Sequence, residues 1–448
     1  MLTRRALLAR RLGVAVALLV LLPTAEVKSE PLLTLRSIGI TGTATVKNYT
    51  HFENNGAQIL VDQAILQPEW SRDLAPWAKI NIVGDLRADD DDFTDGVTFQ
   101  VQEKDRRRSI VGLKEAVLRV GGRPLEARVG KLLFAWGTGD GYNPTDLINP
   151  YDYLDVVDNE KIGVYAGALR IATEASSVEL VVIPAFAPSR VPLLRSRWVP
   201  DPPAGFVAIV DNREVPPPAI SDMQYAARAH TTVKGVDVSI TYYDGYEHLP
   251  VARRSVVATE SGVTLPRLTP VFARIKSPGF DFSTVYEKFE LHGEGAFRLV
   301  ESNGREDRFH WLAGSRYTWD ELPMGWLEQV VLTVEYAREE VLASRAHSPI
   351  IEPGTLPFIG DLFSTRAFRN AVITRLLVKI SEATQVHLNA TVDIRAAPNA
   401  YVQPKLTHKI TDALHLEAAL DLFAGSPETF WGRWRNNNRL FVSMKYFF

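Results

Sequence analysis

The sequence predicts an all-β fold, a transmembrane antiparallel up-and-down β-barrel of about eighteen strands. Three observations predict it. Strand-like runs are long and alternate apolar with polar residues, connections alternate between short and long, and the last run, Arg439 to Phe448, ends in aromatic alternation.

Composition alone is less informative. The chain has 448 residues, a net charge of −3, 46 % hydrophobic and 23 % charged residues, values that would suit a soluble globule. The near-neutral balance gives no basic field for nucleic acid. Cysteine is absent, which removes disulfides and thiolate metal sites. A closed barrel with every backbone group paired in lipid supplies stability of another kind.

Taken from the start, Arg4, Arg5, Arg10 and Arg11 form a basic region ahead of the uncharged run Leu12 to Leu22. Eleven apolar residues fall short of the roughly 20 that a spanning helix needs. Residues 1–29 therefore read as a signal peptide cleaved after about Ala25 or Ser29, a short membrane anchor being the alternative. Residues 30–448 are then expected to form one outer-membrane barrel domain.

Strands are expected near 36–50, 57–66, 77–88, 113–120, 124–135, 161–172, 177–186, 222–231, 235–245, 278–286, 288–301, 308–318, 326–340, 367–380, 385–396, 400–410, 413–423 and 437–448. The pattern is clearest where Leu414, Leu416, Ala418, Leu420 and Leu422 oppose His415, Glu417, Ala419 and Asp421. Val386, Leu388, Ala390, Val392 and Ile394 likewise oppose His387, Asn389, Thr391, Asp393 and Arg395. A soluble sandwich alternates too, so length decides. Runs of ten and more residues exceed the usual 5–6 of globular strands and suit tilted strands crossing a bilayer. Aromatic residues gather near the strand ends, at Tyr242, Trp311, Tyr317, Trp319, Trp326, Tyr336 and Tyr446, as interfacial girdles require.

Counted back from the C-terminus, connections at 411–412, 381–384, 319–325, 287, 232–234, 173–176 and 121–123 are short, and the alternate set is mostly long. Short periplasmic turns and long outer loops are the barrel pattern. The segment 67–76 breaks it, a ten-residue connection on the short side. The stretch 246–286 has room for another strand, and losing the weak strand 57–66 would give sixteen. In the last strand Leu440, Val442, Met444, Tyr446 and Phe448 form one apolar face. Tyr446 and Phe448 are expected to be an assembly signal read by barrel assembly machinery.

The most distinctive stretch is WGTGDGYNPTDLINPYDY, Trp136 to Tyr153. With LKEAVLRV before it (Leu113 to Val120), VVIPAFAPSRVP after it (Val181 to Pro192) and SITYYDGYEHLP further on (Ser239 to Pro250), it resembles a group of porin-like outer-membrane proteins of undetermined function that carry a WG…DG…TD..NP.D loop. Members of that group commonly have glutamine after the Gly-Lys/Arg pair, where this chain has Leu132 in GKLLFAWG. The resemblance implies a barrel and hints at association with export of lipid or hydrophobic compounds. It supplies no substrate.

From the residues themselves, the loop is rich in turn formers, with Asn143–Pro144, Asn149–Pro150 and three glycines at alternate positions from Gly137. It is expected to fold inward over about 136–160. Trp136, Tyr142, Leu147, Ile148, Tyr151 and Tyr153 would lie against the wall, leaving Asp140, Asn143, Asp146, Asn149 and Asp152 at a constriction. The alternative is that these Asp and Asn side chains only cap turns. Arg228, Glu290, Glu294, Arg298, Arg316, Arg375, Lys379, Asp393, Arg395, Lys405, Glu417 and Asp421 are expected on the inward faces, mixed in sign.

The acidic run Asp89 to Asp92 fails the EF-hand spacing, since Phe93 and Gln102 stand where ligands are needed. A solvated acidic loop is the plainer reading, with Arg106 to Arg108 balancing it or meeting lipopolysaccharide phosphates. No G-x-S-x-G, H-E-x-x-H or P-loop occurs, and the histidines, among them His292, His310, His387 and His415, are scattered. The expectation is a channel for small molecules in the outer membrane of a Gram-negative bacterium, without catalysis, cofactor or metal. A barrel lipase or protease and a structural or adhesion barrel are the alternatives. Outer-membrane lipid, lipopolysaccharide and a small-molecule substrate are the expected partners, a homo-oligomer is compatible, and nucleic acid is not expected.

Overall fold

In the computed structural model, residues 39–448 are described apart from 55–56, 98–99, 194–195, 200–207, 259–261, 263, 321, 323–324, 352–367 and 396–398. The expected signal peptide lies outside the described residues. Eighteen strands make one sheet. They are Ile40–His51 (β1), Leu60–Ala75 (β2), Ala78–Asp89 (β3), Val111–Gly122 (β4), Leu125–Leu132 (β5), Val164–Ala172 (β6), Ser176–Ile183 (β7), Gln224–Val233 (β8) and Val236–Tyr246 (β9). Then follow Arg274–Tyr286 (β10), Phe289–Ser302 (β11), Glu306–Trp319 (β12), Gln329–Ser344 (β13), Asn370–Lys379 (β14), Thr384–Asp393 (β15), Asn399–Lys409 (β16), Leu414–Gly425 (β17) and Arg439–Phe447 (β18).

Each strand pairs antiparallel with its sequence neighbour, and β18 returns to β1, with Phe447 opposite Thr43 and Arg439 opposite His51. Phe448 exchanges backbone hydrogen bonds with Gly42 at 3.1 Å in each direction. The sheet is closed, so no barrel strand presents an unpaired edge.

Each of the eighteen expected strands overlaps one of these. The exception at 67–76 is resolved by length. β2 runs through it to Ala75, paired on one side with β1 and on the other with β3, so the connection is only 76–77. Pro68 and the polar run Ser71–Arg72–Asp73 disguise it in sequence. The spare stretch at 246–286 holds two more strands, Val251–Ala258 and Thr264–Val271, but they stand outside the barrel. They form a four-stranded sheet with the short segments Ile209–Val210 and Ile350–Ile351.

Period-2 alternation sets the two faces of the wall. Outward, Leu180, Ile240, Phe280, Leu291, Val334, Leu388, Leu406 and Leu416 are all exposed, a continuous apolar surface that water would not favour and hydrocarbon would. Near the short turns Phe289, Tyr317 and Trp319 pack ring on ring at 4.5 and 4.4 Å, with Trp77 and Trp326 exposed beside the turns. This is the interfacial girdle of one rim. No helix among the described residues is long and apolar enough to cross a membrane.

Inward, one part of the wall is apolar. Val164, Ala166, Val181, Tyr243, Ile275 and Val300, from β6 to β11, share a buried cluster with Leu132, Phe134, Trp136 and Ile148. A barrel interior is buried only when something fills it. The filler is the connection between β5 and β6.

Candidate functional site

The connection 133–163 enters the lumen at Phe134 and Trp136, crosses to β11–β13 on the far side of the ring, and returns past β18, β1 and β3. Its outbound arm is apolar where it leaves β5. Asn149 closes the base, its side chain donating to the carbonyls of Leu132 (3.0 Å) and Ile162 (2.9 Å) and accepting from Phe134 N–H (2.7 Å).

At the tip the backbone, not the side chains, makes the anchor. Glu294 of β11 accepts N–H bonds from Thr138 (2.9 Å), Gly139 (3.3 Å) and Thr145 (2.7 Å), and the Thr145 hydroxyl at 2.9 Å. Glu335 of β13 accepts from Asp140 N–H (2.6 Å) and Gly141 N–H (2.8 Å), and meets His292 Nε2 at 2.9 Å. Successive N–H groups that converge on a carboxylate form a nest, the arrangement loops use to bind anions. The glycines permit it. Gly137 has φ +96°, and a Cβ there would lie 2.5 Å from Glu294 Oε2. A Cβ on Gly141 would lie 2.6 Å from Ile373 and 2.9 Å from Glu335.

Side chains add to the seat. Arg298 donates to Pro144 O at 2.8 Å, and Arg316 grips Asp140 with two bonds at 2.6 and 2.7 Å while holding Glu290 at 2.6 Å. The Tyr142 hydroxyl meets His310 Nδ1 at 2.9 Å, and its ring stacks on Phe368 at 4.6 Å.

The returning arm is fixed by ion pairs. Asp155 and Asp421 together enclose Arg439 of β18, at 2.5 and 2.6 Å, and the guanidinium lies over the rings of Tyr49 (4.2 Å) and Trp198 (5.2 Å). Asp158 accepts from Lys47 at 2.6 Å and from Tyr49, and Glu160 pairs with Arg87. Trp198 belongs to a buried apolar cluster with Phe93, Leu154, Phe423, Trp431 and Trp434, which brings four connections together above the barrel.

The aspartates expected at a constriction are therefore not free carboxylates. Asp152, 1 % exposed, is held by Arg108 (2.8 Å) and Arg190 (3.1 Å). Burial alone would push its pKa up, but these guanidiniums hold it well below the usual carboxylate range. Asp146 is paired with Lys161, and burial outweighs that cation to raise its pKa. Asp140 is committed to Arg316. Asn143 has its side-chain oxygen 2.6 Å from where a Gly137 Cβ would be, inside the turn.

Four residues expected on the pore wall are also buried. Glu294 and Arg298 are covered by the loop they hold, Asp421 by Arg439, and Asp393 by its pairing with Arg395 at 2.5 Å. The first three lie where the loop 133–163 fills the barrel. Glu290, Arg375, Lys379, Lys405 and Glu417 sit nearer the short turns, outside that filling, as does Arg228 below the loop's root. Arg316 reaches the loop tip through Asp140, and Arg375 is exposed on an inward face. Arg228 pairs with Asp281 (3.2 Å), Lys379 with Glu328 (3.0 Å) and Lys405 with Glu417 (2.8 Å).

Sequence reasoning missed Glu335, Asp155 and Arg439. Glycine at 137, 139 and 141 was the available signal, since alternate glycines free N–H groups to point at an anion. Arg106–Arg108 divide their roles: Arg107 pairs with Asp92 (2.7 Å) within the acidic loop, and Arg108 turns inward to Asp152. Among the described residues no cluster of three or more His, Asp or Glu could hold a metal ion.

No known family model matches the sequence, and no curated protein matches it. Solved structures with which it aligns include engineered variants of the Rhodopseudomonas blastica porin. A triple variant aligns with TM-score 0.42 at 8 % identity, and a double variant with 0.41 at 10 %; each alignment covers 91 % of this chain and 99 % of that one. A structure titled "Asymmetric conductivity of engineered proteins" aligns with TM-score 0.39 at 8 % identity. The barrel assignment rests on the chain's own strand register.

Proposed function

We propose that the chain is an outer-membrane channel through which small hydrophilic solutes cross by diffusion, without catalysis. One observation carries the reading: among the described residues, a polar and partly exposed inward wall stands beside the loop that narrows the lumen. The tip of loop 133–163 takes its seat on β11–β13, and its returning arm pairs with β18, β1 and β3 at the rim away from the short turns. Nearer the short turns the inward face of β14–β18 is polar and charged. Arg375, His387, Asn389, Gln403, Lys405, Glu417 and Lys445 alternate there with the outward apolar residues, and Arg375 and Lys445 are exposed although they point into the barrel. A wall of this kind is wetted.

The apolar outward band and the aromatic rim support a location in an outer membrane, with the short turns on the periplasmic side. Tyr446, on the outward face of the closing strand, and Phe448, buried beside Gly42, remain the residues proposed to be read during assembly. The test is reconstitution into planar bilayers, where discrete ohmic current steps are expected. Correctly folded, heat-modifiable protein that gives no conductance would refute the channel reading.

A further inference from the structure

Beneath the root of the loop, on the short-turn side, a cavity of about 410 Å³ opens in the wall of β4–β8. Four guanidiniums line it, Arg119, Arg128, Arg170 and Arg228, against two carboxylates, Glu126 and Glu179. That leaves an excess of two positive charges before His230 is counted. Such a volume lies within the usual range for small-molecule sites.

The arrangement is unfavourable on its own. Arg119 and Arg128 stand directly opposite each other on β4 and β5, a like-charge cross-strand pair. The carboxylates are already shared. Glu179 binds Arg128 at 2.5 Å and accepts from Trp136 Nε1 at 3.1 Å, and Glu126 is 3.5 Å from Arg119. Arg170 lies between Glu126 and Glu179 in register, yet among the described residues it forms no ion pair, and its side chain is exposed to the lumen. Arg228 is drawn away toward Asp281 on β10. Phe134 and Trp136 close the top of the cavity, with Arg128 over the Phe134 ring at 5.3 Å.

Resting on the channel reading, we infer that this cavity is a binding site for a small organic dianion, an oxyanion-bearing solute held on its way through the pore. Guanidinium forks match carboxylate and phosphate oxygens in pairs. Arg119 and Arg170, the two exposed members, supply the open forks. The aromatic roof gives an apolar surface for the solute's body. Bound there, the solute relieves the Arg119–Arg128 repulsion, and that relief is part of its affinity.

The experiment is calorimetric titration of the detergent-folded barrel at low salt with two probes, inorganic pyrophosphate and citrate. Binding of at least one is expected, and whichever binds more tightly tells a phosphoryl from a carboxylate solute. The double variant Arg119→Gln/Arg170→Gln should weaken that binding at least tenfold. Arg338→Gln, which removes one guanidinium charge from the outward face, should leave it unchanged. Heat-modifiable migration verifies that each variant is folded. Failure of both probes to bind the parent, or equal binding by the double variant, overturns the site. The titration needs no conductance, so a silent bilayer refutes the channel alone, and conductance without oxyanion binding refutes the site alone.

Discussion

Replacing Glu294 by alanine tests the seat of the loop most directly. The substitution removes the acceptor of three backbone N–H bonds and one hydroxyl bond, all at 2.7–3.3 Å. Hydrogen bonds to a charged group contribute about 1.5–3 kcal/mol each. Four of them cannot be summed, because lumen water takes up some of the released donors and Glu335 keeps its half of the seat. A loss of roughly 3–6 kcal/mol follows, on the order of 10²–10⁴ in the ratio of seated to unseated loop. Glu294→Gln should show a smaller loss, since the amide keeps one acceptor and turns a donor toward N–H groups. Two measurements read the effect: the single-channel step in planar bilayers, expected to rise and become noisier, and chymotrypsin cleavage within 136–153, expected to appear. If Glu294→Ala folds and matches the parent in both, the loop does not depend on the wall carboxylates.

Other expectations follow from the same contacts. Asp152→Asn should destabilise the folded barrel by about 3–5 kcal/mol in chemical denaturation, since it leaves Arg108 and Arg190 buried against a neutral partner; reversal potentials under a salt gradient should barely move, because Asp152 does not face the channel. Asp140→Asn should shift that reversal potential toward anions by freeing Arg316 from a bidentate partner, and no shift would place Arg316 outside the solute's path. Leu416→Arg should cost about 2–4 kcal/mol of folding free energy in lipid vesicles if the outward face meets hydrocarbon, whereas Glu417→Gln, which loses only a partly exposed ion pair with Lys405, should cost no more than about 1 kcal/mol. Burial pushes the Asp91 carboxyl up to about 7, with Asp89 and Asp155 adding to it. A raised folded-state pKa stabilises fully below the unfolded value near 3.9 and is lost as pH rises through about 7, so Asp91→Asn should raise the Tm at pH 8 and leave it unchanged at pH 4.

The barrel was legible because a wall between water and hydrocarbon forces a strict period of two, and eighteen strands repeat it. The signal fails where one face stops being uniform. In β2, Pro68 and the polar run Ser71–Asp73 hide the second half of a 16-residue strand, since the residues near the rim no longer meet hydrocarbon. The inward course of the loop could be read from its aromatic residues, but its electrostatics could not. The three aspartates stood out in the sequence as free charges, yet their partners Arg108, Arg190, Lys161 and Arg316 lie 15 to 176 residues away. Glu294 was recognisable as inward-facing, and Glu335 was not distinguished from any other charged strand residue. Charge pairing across a closed ring leaves no trace in local pattern.

The anchor also has a consequence in time. The tip of the loop is joined to Glu294 and Glu335 across separations of 149 to 195 residues, and its returning arm to Arg439 across 284. Contacts between such distant parts of a chain form late. The segment 133–163 cannot take its seat until β11–β13 have joined the wall, nor can its second arm be fixed until β18 arrives to close it. An assembling barrel thus passes through a stage with a wider bore than the finished one, and the last strand both completes the ring and locks the restriction inside it.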